Sequence, residues 1–281
     1  MLLNPGFASA ATLNVGQGQT YTTIQSAIDA ANSGDVISVA EGTYFENPVI
    51  KMNDISIIGK NKEKTIIDGN KTGSVIKIDQ ASNVKVSGFT VQNSGGSGQT
   101  DAGITLYRAN NNFIANVNSV NNVVGISIYS SFSNIVSGND VKSSSKYGVY
   151  LFSSNDNRIY NNNIQSNKFG IYADSSKTNR IYSNNLIDNT EQAYDNSGLN
   201  SWDDSKTGNY WSTYKILGGA NAKDNYPLSR AVTIKEESVP TPVEQKTQGI
   251  RGETGKSSPG FMGVVVVVSL FVIGILKGKR K

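Results

Sequence analysis

Residues 103–107 read Gly-Ile-Thr-Leu-Tyr, 125–129 Gly-Ile-Ser-Ile-Tyr, 148–152 Gly-Val-Tyr-Leu-Phe and 170–174 Gly-Ile-Tyr-Ala-Asp. The leading glycines stand 22, 23 and 22 residues apart. A second series runs between them: Asn134-Ile-Val, Asn157-Arg-Ile-Tyr and Asn179-Arg-Ile-Tyr, each with another asparagine five residues on, at Asn139, Asn162 and Asn184. Short alternating apolar runs at a fixed period, without a helical period, indicate stacked strands of a solenoid. A disordered Asn-rich tract would not return β-branched residues in register.

Alternate residues of each short strand face inward. Ile104, Ile126, Val149 and Ile171 then form one interior stack, and Leu106, Ile128, Leu151 and Ala173 a second. Ile159 and Ile181 stack on another wall, as do Val141, Ile164 and Leu186. The turns call for unusual backbone angles, which Gly and Asn supply at low cost. Stacked Asn side chains can also form hydrogen-bonded ladders along the axis.

The same alternation turns Tyr107, Tyr129 and Phe152 outward in one column that ends in Asp174, with Tyr150 and Tyr172 beside it. Tyr160 and Tyr182 share another wall with Arg158 and Arg180. Such rows suit sugar rings, since aromatics offer flat apolar faces with a polar handle. They equally suit cross-coil stacking that only stabilises the sheet. Tyr107, Tyr129, Phe152, Tyr150, Tyr172, Arg158 and Arg180 are the glycan-binding candidates.

Earlier coils are less regular: Val36-Ile-Ser-Val, Ile55-Ser-Ile-Ile, Thr65-Ile-Ile, Val75-Ile-Lys-Ile and Val84-Lys-Val. Before them, residues 22–32 (TTIQSAIDAAN) place Ile24, Ala27, Ile28 and Ala31 at helical spacing, and Gly34 follows as a stop. A helix there would close the open end of the stack. About seven coils at about 4.8 Å make a rod of roughly 30–35 Å.

Lys and Arg outnumber Asp and Glu by 26 to 22. Lys277, Lys279, Arg280 and Lys281 account for the excess, so the body is balanced and no nucleic-acid footprint is expected. The chain has no Cys and no His. Disulfides, thiolate zinc sites, the Ser-His-Asp triad and the Cys-His dyad are therefore excluded. With Met52 alone outside the chain ends, copper does not fit; an oxygen-ligated ion such as Ca²⁺ stays compatible, and no metal ligands are assigned. A glycosidase needs paired carboxylates. Asp140, Asp156, Asp174, Asp188 and Asp195 do not recur at one strand position of adjacent coils. No catalytic residue is assigned, and Asp203 and Asp204 read as turn and cap residues. Asn70-Lys71-Thr72 is a candidate glycosylation sequon.

Both ends carry processing patterns. Ala8 and Ala10 give the small-x-small spacing of a signal-peptidase site, so 1–11 reads as a signal-peptide remnant. The solenoid with its caps is expected over 12–228. Residues 229–258, rich in Pro, Thr, Glu, Lys and Gly, read as a disordered stalk. Phe261 to Leu276 carries no charge and precedes Lys-Gly-Lys-Arg-Lys. As a helix it would be about 24 Å long, with cations on the cytoplasmic side. Pro259-Gly260-Phe261, an apolar run and a basic end resemble the PGF-CTERM sorting signal of archaeal surface proteins. That resemblance implies processing by an archaeosortase, a lipid anchor over 259–281 and a cell-surface location.

Residues 21–46 (YTTIQSAIDAANSGDVISVAEGTYFE) resemble the N-terminal cap of pectin-lyase-like β-helices, without the catalytic segments of pectin methylesterases. The Asn-rich coils and the tail (NSWDDSKTGNYWSTY, then DNYPL) resemble the NosD family, whose coils are of the carbohydrate-binding and sugar-hydrolysis type. The resemblance spans roughly Thr20 to Leu228. It implies an all-β, right-handed, single-stranded parallel β-helix with a capping helix, beside the C-terminal sorting or transmembrane helix. KILGGANAK stands where relatives carry an acidic loop, which puts a metal site there in doubt. The expected role is a non-catalytic, surface-anchored protein that binds an envelope or extracellular glycan; the alternative is a polysaccharide lyase, hydrolase or epimerase.

Overall fold

The computed structural model describes residues 10–238, apart from 97, 99 and 220. The chain winds as a right-handed parallel solenoid with three walls, each an eight-stranded parallel sheet. Wall I runs from Thr12–Val15 to Arg180–Tyr182. Wall II runs from Gly42–Phe45 to Tyr210–Trp211, and wall III from Val49–Ile50 to Ile216–Gly218. Each coil contributes one strand to each wall.

The interior follows the alternation. Ile104, Ile126, Val149 and Ile171 are register partners on wall III, as are Leu106, Ile128, Leu151 and Ala173. Ile159 pairs with Ile181 on wall I, and Val141, Ile164 and Leu186 align on wall II. All of them are fully buried. Neighbouring strands pair through identical positions of successive repeats, so one sequence pattern fills one continuous core.

The corners carry the cost of the fold, because each turns the backbone inside a dry stack. Two residues solve each corner. The first takes a left-handed backbone: Ser133, Asp156 and Thr178 at one corner, Asn116, Gly138, Asn161 and Ser183 at the next. The second points inward and joins a ladder. Asn112, Asn134, Asn157, Asn179 and Asn200 form one, in which each side-chain amide donates to the carbonyl oxygen of the next side chain at 2.8–3.1 Å. Asn139, Asn162, Asn184 and Asn209 form a second. Asn167 and Asn189 continue the pattern at the third corner. At the first of these corners, ahead of that Asn ladder, Ser131, Ser154 and Ser176 receive backbone N–H groups from the preceding coil.

This corrects the sequence expectation in two places. The ladder asparagines do not hold the left-handed angles; the residue before each does, except at Asn200 and Asn209 by the C-terminal cap. Gly103, Gly125, Gly148 and Gly170 sit in or beside strands without left-handed backbone. They are small because the next coil passes close: a Cβ on Gly125, Gly148 or Gly170 would lie 2.5–2.6 Å from the next coil's carbonyl oxygen.

Helix α1 (Ile24–Ala30) closes the N-terminal end with Ile24, Ala27 and Ile28 buried, inside the span expected for it. Thr23 caps it, and both oxygens of Glu46 accept from the Ile24 and Gln25 amides at 2.8 and 3.1 Å. Trp202 and Trp211 close the other end, 5.7 Å apart. Asp195 accepts from the Trp202 indole, and Asp224 from the Trp211 indole and the Asn209 amide. The Asn-Tyr-Trp and Asp-Asn-Tyr motifs of the tail are thus the two halves of one cap.

Residues 229–238, expected in a disordered stalk, lie along the solenoid, bonded to Asn185, Asn161 and Asn116. The rest of that stretch, residues 1–9, the Pro259-Gly260-Phe261 motif and the apolar run after it lie outside the described residues. Among the described residues, no helix is long and apolar enough to cross a membrane.

Asn157 shows what a ladder position is worth. Its carbonyl oxygen accepts from the Asn134 backbone and side chain at 2.9 and 3.0 Å, and it is fully buried. Asn157→Ala strands those donors, and each buried donor left unmet costs about 1–3 kcal/mol. Urea unfolding should give a loss of about 3 kcal/mol or more. Asn163→Ala, on the outer face, should lose about 1 kcal/mol or less.

Candidate functional site

Wall III has the longest strands, and its outer face collects the aromatics. Tyr107, Tyr129, Phe152 and Asp174 are register partners in one column. Tyr150, Tyr172 and Tyr194 form the next column, and Tyr147 and Phe169 a third. All are partly buried except Tyr150, which is completely covered. Tyr147, Phe169 and Tyr194 were missed among the candidates. Tyr147 and Phe169 precede the glycines of the repeat, and Tyr194 continues the Tyr150 and Tyr172 column, so register could have found them.

Neighbouring rings consume one another's faces. Tyr107 and Tyr129 stack at 5.6 Å, Tyr129 and Phe152 at 4.8 Å, Tyr172 and Tyr194 at 4.3 Å. The outer face of Tyr107 is taken by the Lys77 ammonium at 5.0 Å and the Arg108 guanidinium at 5.2 Å. A sugar meets ring edges and phenolic oxygens along this ridge, rather than the series of free faces that the sequence suggested. Tyr150 cannot touch a ligand at all; it supports Tyr147, Phe152 and Tyr172, which pack on it.

Burial disfavours the phenolates here. It pushes the Tyr150 hydroxyl far above its usual range, with Asp174 adding repulsion. Tyr172 is pushed up to about 12, first by burial, then by Tyr194, Tyr147 and Asp174. Tyr147 moves the same way, by burial and by Asp174. Asp174 itself accepts from the Asn196 amide at 2.6 Å and the Ser175 hydroxyl at 3.1 Å. The ridge is a row of phenolic hydroxyls, with the Asp174 side chain at the end of one column.

The second candidate surface lies on wall I, where Arg158 pairs with Arg180 and Tyr160 with Tyr182. Both arginines are exposed. Tyr160 and Tyr182 stack at 5.2 Å with planes 10° apart. Arg158 lies 5.1 Å over the Tyr160 ring and donates to the Tyr182 hydroxyl at 2.8 Å, a bond that raises its pKa further. Arg158 is thus held by the two tyrosines, which makes this patch smaller than wall III.

Asp203 and Asp204 serve the C-terminal cap. Burial pushes Asp203 up, but bonds from Asn225 and Ser205 outweigh it and hold Asp203 below the usual range. Asp204 accepts from the Lys206 and Thr207 amides in a turn. The sequon residue Asn70 is exposed with a left-handed backbone. Among the described residues no three His, Cys, Asp or Glu converge as a metal site.

Comparison with known proteins gives one family. The model of the periplasmic copper-binding protein (NosD) family matches residues 14–216. None of the curated protein sequences matches the chain. Similar solved structures include ORF18 of Geobacillus virus E2, at 18% identity and TM-score 0.54, covering 63% of this chain and 42% of that one. A pectin methylesterase crystallised with a hexasaccharide follows at 16% identity and TM-score 0.51, covering 64% and 66%. The pectin methylesterase PemA of Erwinia chrysanthemi matches at 14% identity and TM-score 0.50, covering 70% of each chain. This chain thus spans under half the length of the viral protein. These likenesses are of fold. The copper of the family description finds no soft donors here: the chain lacks His and Cys, and Met52 packs against the core.

The shifted tyrosines predict an alkaline response. A free phenol titrates near pH 10. The folded protein keeps protons that the unfolded chain would release, so this contribution to stability is unchanged below about pH 10 and is lost as the pH rises toward 12. Phenolate absorbance should show a late-titrating group, and Tyr172→Phe should remove part of the fall in melting temperature. A single titration near pH 10 in the folded protein would contradict the packing of this wall.

Proposed function

The chain belongs to the NosD family, and from that footing we propose that it binds an extended carbohydrate along the outer face of wall III. The observation that carries this reading is the ridge of eight aromatic residues, whose rings project from successive coils in register. A stack of coils repeats about every 4.8 Å, which offers a polymer a repeating row of hydroxyls on a rigid scaffold. Tyrosine supplies area at low entropic cost and a hydrogen-bonding tip. The pectin methylesterase crystallised with a hexasaccharide shares the scaffold at the level of fold.

Tyr107, Tyr129 and Tyr172 contribute phenolic hydroxyls, Phe152 contributes its edge, and Tyr150 holds the others in place. Replacing Tyr107, Tyr129 and Tyr172 together by Phe removes the hydroxyls and keeps the stacks. Affinity for the glycan that the parent selects on an array should fall at least about tenfold, since each lost bond is worth about 0.5–1.5 kcal/mol. The melting temperature at neutral pH should hold. Unchanged affinity would move the site to Arg158, Arg180, Tyr160 and Tyr182.

A second reading, turnover of the polysaccharide, is favoured by one observation: the aromatic column ends in the carboxylate of Asp174. New reducing ends or released acid from pectin, abolished by Asp174→Asn, would establish it.

We also propose attachment to the cell surface through Pro259-Gly260-Phe261 and the uncharged run behind it, with processing by an archaeosortase-type enzyme. The basic end and the family's periplasmic description support a location outside the cytoplasm. Deleting residues 259–281 should release the protein into the medium; retention in the envelope fraction would refute the anchor.

A further inference from the structure

The segment after the C-terminal cap is held in an unusual way. Asn185 accepts from the Val232 amide at 2.8 Å and donates to the Val232 carbonyl at 2.9 Å. Asn161 makes the same pair of bonds with Lys235, at 3.1 and 2.8 Å. Asn116 makes it with Glu237, at 2.8 and 2.8 Å. Each side-chain amide thus spends a donor and an acceptor on the N–H and C=O of one residue, as a neighbouring β-strand would. This is backbone recognition by a row of side chains.

The row lies on the edge between walls I and II. Asn116, Gly138 and Asn161 are the left-handed corner residues of three successive coils, and Asn185 opens the next wall II strand. Gly138 breaks the asparagine row where the segment crosses it. A Cβ there would stand 2.9 Å from Asn116 Oδ1, 3.1 Å from the Lys235 carbonyl oxygen and 3.2 Å from Glu237 Cγ. The Glu237 carboxylate also accepts from the Ser137 hydroxyl at 2.7 Å and from Asn161 at 3.2 Å. Glu236 pairs with Lys62 at 3.2 Å.

We propose that Asn116, Asn161 and Asn185, with Gly138 and Ser137, form a peptide seat whose occupant is the chain's own segment 232–237. The seat works as a clasp. The segment runs from the coil of Asn185 to that of Asn116, back toward the N-terminal end by three coils or about 14 Å. Residue 237 therefore lies on the side of the solenoid, on the edge between walls I and II, away from the C-terminal cap. A pull on the downstream chain loads this edge before it reaches the Trp202 and Trp211 cap. The clasp does not rest on the anchoring reading.

The full chain tests it by hydrogen exchange and trypsin. The amides of Val232, Lys235 and Glu237 should exchange at least about tenfold more slowly than in an unstructured peptide, and cleavage after Lys235 should be slowed alike. Asn161→Gly keeps the left-handed corner and removes the central clamp; it should erase the protection of Lys235. Gly138→Asn suits a left-handed backbone, yet drives a side chain against the Asn116 clamp and the segment; it should free the Lys235 and Glu237 amides while wall II amides stay protected. The chain has no Cys, so spin labels at Ser238→Cys and Lys168→Cys are unique. They should give one narrow distance in the parent and a broad distribution with Gly138→Asn. Free-peptide exchange at 232–237 in the parent, or protection unchanged in both variants, overturns the clasp. Neither result depends on glycan binding or on release from the envelope.

Discussion

The structure depends on how buried corners are kept hydrogen-bonded. A coil of about 22 residues must turn three times, and each turn brings peptide groups into a dry stack where an unmet donor costs about 1–3 kcal/mol. The asparagine ladders remove that cost. One inward amide satisfies a backbone N–H of the coil before it, a backbone carbonyl, and the next amide in line. The arrangement works only if the same residue returns at the same place in every coil. That demand, more than the apolar core, imposes the 22- or 23-residue period.

Fixing the corners frees the walls. Inward positions need only be apolar and of compatible size, so Ile, Val, Leu and Ala interchange along one stack. Outward positions are constrained only by their neighbours a coil away. Wall III uses that latitude to stack rings, and wall I to set Arg158 against Tyr160 and Tyr182. Its long strands give wall III three outward columns rather than two, which is why the large aromatic surface arose there.

The same economy appears at the C-terminal end. Corner asparagines whose side chains point outward have no ladder to join, and three asparagines on one edge hold the returning segment instead. One residue type therefore serves as internal staple or external clasp, according to the face it presents. The buried aspartates of the cap act in a related way, receiving indole and amide N–H groups that would otherwise be stranded.

The sequence by itself determined the solenoid, the register of its later coils, the capping helix and the lack of soft metal donors, because period and composition survive without coordinates. The interior stacks of Ile104 and Leu106 were legible for that reason. So were the columns of Tyr107 and Tyr160, since alternation assigns a side to every residue in a strand. Only the tertiary structure decided what those outward residues do. Alternation says that Tyr150 points out, but not that Tyr147 and Tyr172 close over it. It puts Tyr107 above Tyr129, but not that their faces meet. It gave 229–238 no hydrophobic period, because the segment is held by its backbone, and a bond to the main chain leaves no mark on the sequence of the segment that makes it.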